Sequence, residues 1–114
     1  MNAGVSIHAV DVSAGVPAVG MSCELHRIEP LPARLAEGIV LPSGWWAPDD
    51  EVVGQQVPNG LYEAVLHIDV WLTQRGTPTF METVRFRFWV RDGDAHHHLP
   101  IKFTPWGYTI FRGV

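Results

Sequence analysis

The stretch Leu61–Leu72 reads LYEAVLHIDVWL, and Thr83–Arg91 reads TVRFRFWVR. In the first, the even positions Tyr62, Ala64, Leu66, Ile68, Val70 and Leu72 are all apolar, while the odd ones include Glu63, His67 and Asp69. In the second, Val84, Phe86, Phe88 and Val90 alternate with Arg85, Arg87 and Arg91, with Trp89 among them. Period-two alternation over this length predicts strands with one face on a core.

Weaker runs obey the same rule. Val5, Ile7 and Ala9 alternate with Ser6, His8 and Val10; Val19, Met21, Cys23 and Leu25 alternate with Gly20, Ser22, Glu24 and His26. Near the end, His97, Leu99, Ile101 and Phe103 alternate with His96, His98, Pro100 and Lys102, and a short strand is expected over Tyr108–Arg112. Turn residues punctuate the runs, as in Gly15-Val16-Pro17, Pro58-Asn59-Gly60 and Pro105-Trp106-Gly107. The best helix is one or two turns near Trp71–Arg75, before Gly76. Residues 29–58 read either as short strands or as a long loop. Many short strands at this spacing predict an all-β sandwich or barrel.

Composition bounds the rest. With 114 residues, the chain is expected to be a single domain, 1–114. It is 46% hydrophobic and 18% charged, with five Trp and one Lys (Lys102). That is too apolar for disorder, and apolar enough to suggest that a partner covers some surface. The net charge of −4 argues against a nucleic-acid partner. No apolar run approaches the roughly 20 residues of a membrane span. The first basic residue is Arg27 and Asp11 interrupts the early apolar run, so no signal peptide is read and a cytoplasmic location is expected. The lone Cys23 reads as a small buried hydrophobe rather than a nucleophile.

The histidines carry the chemical signal. His96, His97 and His98 are consecutive, and parity sends His97 to the core side and its neighbours to the other face. His8 lies opposite Val5, Ile7 and Ala9. If the first and penultimate strands are neighbours, His8 and His98 meet on one outer face. Such a pair suits proton transfer near neutral pH. The competing reading is a solvated polar face. No carboxylate or thiol accompanies the histidines at ligand spacing, so no metal is expected, and no cofactor motif appears. His26 and His67 read as ordinary half-exposed strand residues, and the arginine stripe as a solvated face. Trp45 and Trp46 either line a ligand pocket or plug the sandwich end.

Two motifs then bring a family into view. Ser6-Ile7-His8-Ala9-Val10-Asp11 with Gly15-Val16-Pro17-Ala18 is similar to an S/T-x-H-V-L-D…G-x-P-A opening. His96-His97-His98-Leu99-Pro100, Pro105-Trp106-Gly107-Tyr108-Thr109 and Phe111-Arg112-Gly113 are similar to an H-Y-H-V-P…P-x-G-Y-S-T-Y-R-G-S ending. The chain thus resembles the transthyretin-like 5-hydroxyisourate hydrolases of urate degradation and, more distantly, transthyretin. The resemblance implies a two-sheet, Greek-key sandwich of about eight strands with one short helix. It also implies a homotetramer, a dimer of dimers, with active sites between dimers. His8 and His98 would be catalytic and activate water against a small-molecule substrate. His96, Tyr108 and Arg112 would border the substrate.

The departures shape the expected function. The family's D-G-R turn falls on Ser43-Gly44-Trp45, so Trp45 replaces a substrate-binding arginine. Phe111 and Val114 stand where the ending has Tyr and Ser/Thr. Losing an anion clamp while keeping the histidines implies acid–base chemistry on a less polar substrate, by hydrolysis, ring opening or cyclisation. The alternatives are a genuine 5-hydroxyisourate hydrolase and a non-catalytic transthyretin-like binding protein.

Overall fold

The computed structural model describes residues 4–50, 57–92 and 95–113. Within them the chain forms β1 (Gly4–Asp11), β2 (Val16–Pro17), β3 (Ser22–Glu29), β4 (Ala33–Val40) and β5 (Trp46–Pro48). β6 (Gly60–Leu66), α1 (Ile68–Gln74), β7 (Val84–Val90), β8 (His96–Thr104) and β9 (Gly107–Ile110) follow. One sheet has the order β2-β1-β8-β9, the other β5-β4-β3-β6-β7. The expected two-layer β-sandwich with one short helix is what forms.

The alternation explains the layers. Ile7, Ala9, Leu99, Ile101 and Phe103 of the first sheet and Cys23, Leu25, Tyr62, Ala64 and Leu66 of the second are all buried. Their faces meet and remove each other from water, the main favourable term in such a fold. Burial pushes the Cys23 thiol up to about 12, so it stays protonated and inert as a small hydrophobe.

Strand β1 pairs with β8 in parallel, with Ser6 opposite His98 and His8 opposite Pro100. Parallel neighbours need a crossover; here the chain builds the whole second sheet before β8 returns beside β1. The chemistry at the two ends of the sequence therefore lands on adjacent strands.

Three expectations need correction. The strand read through Leu72 ends at Leu66, and Ile68–Gln74 is helical. Ile68, Trp71 and Leu72 are buried at i, i+3, i+4 spacing while Val70 is exposed, which is the helical pattern. Positions 68 and 72 satisfy both periods, so the alternation ran on into the helix. The helix thus begins before Trp71, with Asp69 in its first turn accepting from the Thr83 hydroxyl at 2.9 Å. The last strand is Gly107–Ile110 rather than 108–112. The third run begins as a strand only at Ser22 and continues to Glu29.

Of the two readings of residues 29–58, the described part supports strands: β4 and β5 lie there, joined antiparallel. A cis Glu29–Pro30 bond lies between β3 and β4.

The arginine stripe is exposed but not merely solvated. Arg87 Nε donates to Glu63 Oε2 at 2.8 Å and Arg85 Nη1 to Oε1 at 3.3 Å across the β6–β7 pair. These donors, Arg87 first, hold the Glu63 carboxyl below its usual range. Arg91 lies over Trp89, 4.7 Å from the ring centre. Among the described residues, no helix is long and apolar enough to cross a membrane.

Candidate active site

The outer face of β1 and β8 gathers the sequence-selected histidines. Side chains on a strand alternate, so Ser6 and His8 of β1 share a face with His96 and His98 of β8. His97 points the other way and is buried, its Nδ1–H donating to the Ala95 carbonyl at 3.0 Å. Burial, and then the charge of Arg112, push the His97 pKa down.

The turn between β4 and β5 closes over this face. Strand β2 pairs only with Val10 and Asp11, which leaves the His8 end of β1 open for Trp45 to bridge. Ala9 N–H donates to the Gly44 carbonyl at 3.0 Å, fixing the turn to the strand. Gly44 has φ +90°, and a Cβ there would sit 2.6 Å from His8 Nε2. Only glycine gives both this backbone conformation and this closeness. The two tryptophans then diverge: Trp46 is buried in the core, while Trp45 stands half-exposed over the histidines. Of the two readings, filling the sandwich describes Trp46, while Trp45 faces the histidines.

Trp45 lies between the pair. Its ring centre is 5.0 Å from that of His8, edge-on, and 5.0 Å from that of His98, tilted. His8 Nε2 is 3.2 Å from the Ser43 carbonyl. A carbonyl only accepts, so Nε2 carries the proton and His8 Nδ1 keeps a lone pair. Burial first, then His96 and His8, push the His98 pKa down. His98 is therefore a neutral imidazole at pH 7, suited to take a proton.

Sequence reading missed Ser6. Its hydroxyl oxygen lies 2.8 Å from His98 Nδ1 and 2.7 Å from His96 Nε2. Its parity with His8 was visible; its place between two imidazoles follows only from the parallel register.

The remaining expected site residues divide. Gly113 N–H donates to the His98 carbonyl at 2.7 Å, which brings the terminal segment with exposed Phe111 and Arg112 back along β8. Tyr108 is not brought to the pair. It sits opposite Phe103 near the far end of β8, on that residue's side of the sheet. Val114 lies outside the described residues. Among the described residues, no group of three or more His, Cys, Asp and Glu could hold a metal ion.

Known proteins share this framework. The chain is 30% identical over 113 residues to 5-hydroxyisourate hydrolase 2 of Rhizobium meliloti, covering 96% of this chain and 94% of that protein. Its fold superposes on a Klebsiella pneumoniae 5-hydroxyisourate hydrolase with a TM-score of 0.84 at 25% identity, over 98% of this chain and 99% of that one. An (S)-allantoin synthase structure matches with a TM-score of 0.87 at 26% identity; it covers 99% of this chain, which spans only 44% of that protein. The relatives support a hydroxyisourate-hydrolase-like function. The model of the HIUase/Transthyretin family matches residues 5–113, nearly the whole sandwich and both histidine strands, and the chain belongs to that family.

Proposed function

We propose that the chain is a hydroxyisourate-hydrolase-like enzyme in which His8 and His98 act as an acid–base pair on a small cyclic substrate. The observation that carries this is the convergence of two imidazoles on Trp45, one of them disfavoured as a cation. Neutral His98 takes a proton from water, and the hydroxide adds to a ring carbonyl. The carbon–nitrogen bond then breaks, and the leaving nitrogen takes the proton that His98 gained, while His8 Nδ1 accepts a hydrogen bond from the attacking water. The reverse sequence is a cyclisation. General acid–base help of this kind contributes about 10²–10⁴-fold.

Trp45 supplies a flat apolar wall where a guanidinium clamp would favour an anion, so the substrate is less polar than 5-hydroxyisourate. His96, Phe111 and Arg112 border the same face and are the further contacts. A homotetramer would cover the exposed aromatic surface, and a solution mass near 12.7 kDa would refute it. A reducing, cytoplasmic setting suits the lone buried thiol of Cys23.

A second reading, a genuine 5-hydroxyisourate hydrolase, is favoured by the names of the relatives. Urate oxidase can generate 5-hydroxyisourate in the cuvette, and its absorbance decay separates the readings. Weak acceleration that rises in Trp45→Arg supports the divergent enzyme. Fast decay that Trp45→Arg lowers supports the genuine hydrolase. If saturable binding of cyclic amides occurs without turnover of any of them, the protein is a carrier and both enzyme readings fail.

A further inference from the structure

A serine hydroxyl has one proton and two lone pairs. Ser6 Oγ lies within hydrogen-bond reach of two ring nitrogens, His98 Nδ1 at 2.8 Å and His96 Nε2 at 2.7 Å. It cannot donate to both. It donates to one ring and accepts an N–H from the other, so the proton positions of the two imidazoles are tied together. Either His98 carries its proton on Nδ1 and His96 Nε2 is bare, or His96 Nε2 is protonated and His98 Nδ1 is bare.

We propose that Ser6 is a positioning residue that sets the tautomer of His98 and passes its surplus proton to His96. This rests on the acid–base role of His98 given above. In the resting chain, His98 Nδ1–H donates to Ser6, Ser6 donates to His96, and His98 Nε2 presents a lone pair to the substrate. When Nε2 takes a proton from water, the Nδ1 proton moves to Ser6 Oγ and the hydroxyl proton moves to His96 Nε2. His98 is neutral again with its proton on Nε2, and the positive charge is on His96. Reversal of the two shifts restores the Nδ1 proton as Nε2 gives its own to the leaving nitrogen. No proton is gained or lost within the relay.

The surroundings favour this division. His98 is half-buried between Trp45 and the terminal segment, with His8 and His96 as the titratable groups acting on it, and a cation there is disfavoured. His96 is exposed, so water solvates the charge that His98 cannot keep. His96, which the family resemblance puts beside the substrate, becomes the outlet of the relay.

Ring-nitrogen NMR at pH 8 on the full chain tests this without a substrate. In the native protein, His98 is expected with a protonated Nδ1 and a bare Nε2. Ser6→Ala is expected to shift His98 toward the Nε2–H form that free histidine favours. Ser6→Thr, which keeps the hydroxyl, retains the native pattern, and His96→Gln perturbs His98 even if Ser6→Ala fails to fold. The same His98 signals in the native protein and in Ser6→Ala, or Nε2–H in the native protein, overturn the proposal. If the native protein turns over substrate, Ser6→Ala is expected to lose about 10-fold in kcat with KM unchanged, below the 10²–10⁴-fold that the base itself carries. In kcat the losses of Ser6→Ala and His96→Gln are expected not to add, because both cut one relay; fully additive kcat losses contradict it, and any loss of the His96 substrate contact reads in KM. A native protein without turnover refutes the acid–base reading, while the NMR result still decides the tautomer.

Discussion

The two sheets each present histidines on their outer side, yet they differ in what the imidazoles meet. On the β1–β8 face His8, His96 and His98 meet a serine, a tryptophan and one another. Beside the second sheet, His26 of β3 and His67, which precedes α1 instead of lying on a strand as its alternation suggested, both meet Glu24, with Nε2–oxygen distances of 3.0 and 2.6 Å to its two carboxylate oxygens. A carboxylate partner stabilises the imidazolium; a neighbouring imidazole opposes it. The same side chain is thus tied to a carboxylate on one face and to a hydroxyl and an indole on the other, where it is proposed to act as a base. The histidine count in the sequence says nothing about which is which.

Removing a histidine from each face gives the widest separation. His98→Ala is expected to lower turnover by about 10²–10⁴-fold with little change in melting temperature. His67→Ala is expected to do the opposite, lowering the melting temperature while leaving turnover unchanged. Equal effects on activity would erase the distinction between the faces.

Gly44→Ala is expected next in size. The left-handed backbone alone costs an ordinary residue about 1–2 kcal/mol, and here the new Cβ also meets His8. Denaturant unfolding measures the loss, and activity should fall with it because His8 must move. A fully stable and active Gly44→Ala would show that the turn does not fix His8.

The pH dependence separates the faces at smaller amplitude. The folded pKa of His98 is depressed, so the unfolded chain binds its proton more readily. Its contribution to stability is present above about pH 6.5 and falls as the pH drops below that. The acid limb of the activity profile is accordingly expected below pH 6.5. The hydrogen bonds from His67 and then His26 lower the Glu24 pKa. That contribution is present above the usual carboxylate range and is lost as the pH falls through the depressed folded value. Glu24→Gln is expected to cost about 1 kcal/mol at pH 7 and to flatten the stability curve on the acid side while the activity limb stays in place. Arg85→Ala, which removes an exposed partner of Glu63, is expected to cost about 0–1 kcal/mol and to change neither profile.

How far these faces were readable follows from period and burial. β7 and β8 were legible because apolar and polar residues alternate cleanly there. β4 was not: of its eight residues only Ala36 and Val40 are buried, and the rest give no clean period. Gly38 adds to the obscurity. It looks like a weak strand residue, yet a Cβ there would land on the Ala47 carbonyl oxygen, so the β4–β5 pairing needs it. The boundary between β6 and α1 blurred because Ile68 and Leu72 fit either period. In the site, His8 and His98 were found by parity together with the family resemblance. Ser6 was not chosen, since a lone serine on a polar face has no signal until the register puts it opposite His98. Tyr108 was chosen from its motif, which lies close to the site in sequence, whereas β9 pairs it with Phe103, away from the histidine pair of the same chain.

The parallel β1–β8 pair also governs when the site comes into being. Ser6 and His98 are separated by 92 positions in the chain and by one hydrogen bond in space. During synthesis the first strand must wait, one edge unpaired, until β8 has emerged. The proposed activity therefore requires β8, and any truncation before it removes the site as completely as mutation of His98. Recovery of turnover after dilution from denaturant would consequently report the last long-range pairing to form, the kind of non-local contact that sets the pace of folding in β proteins.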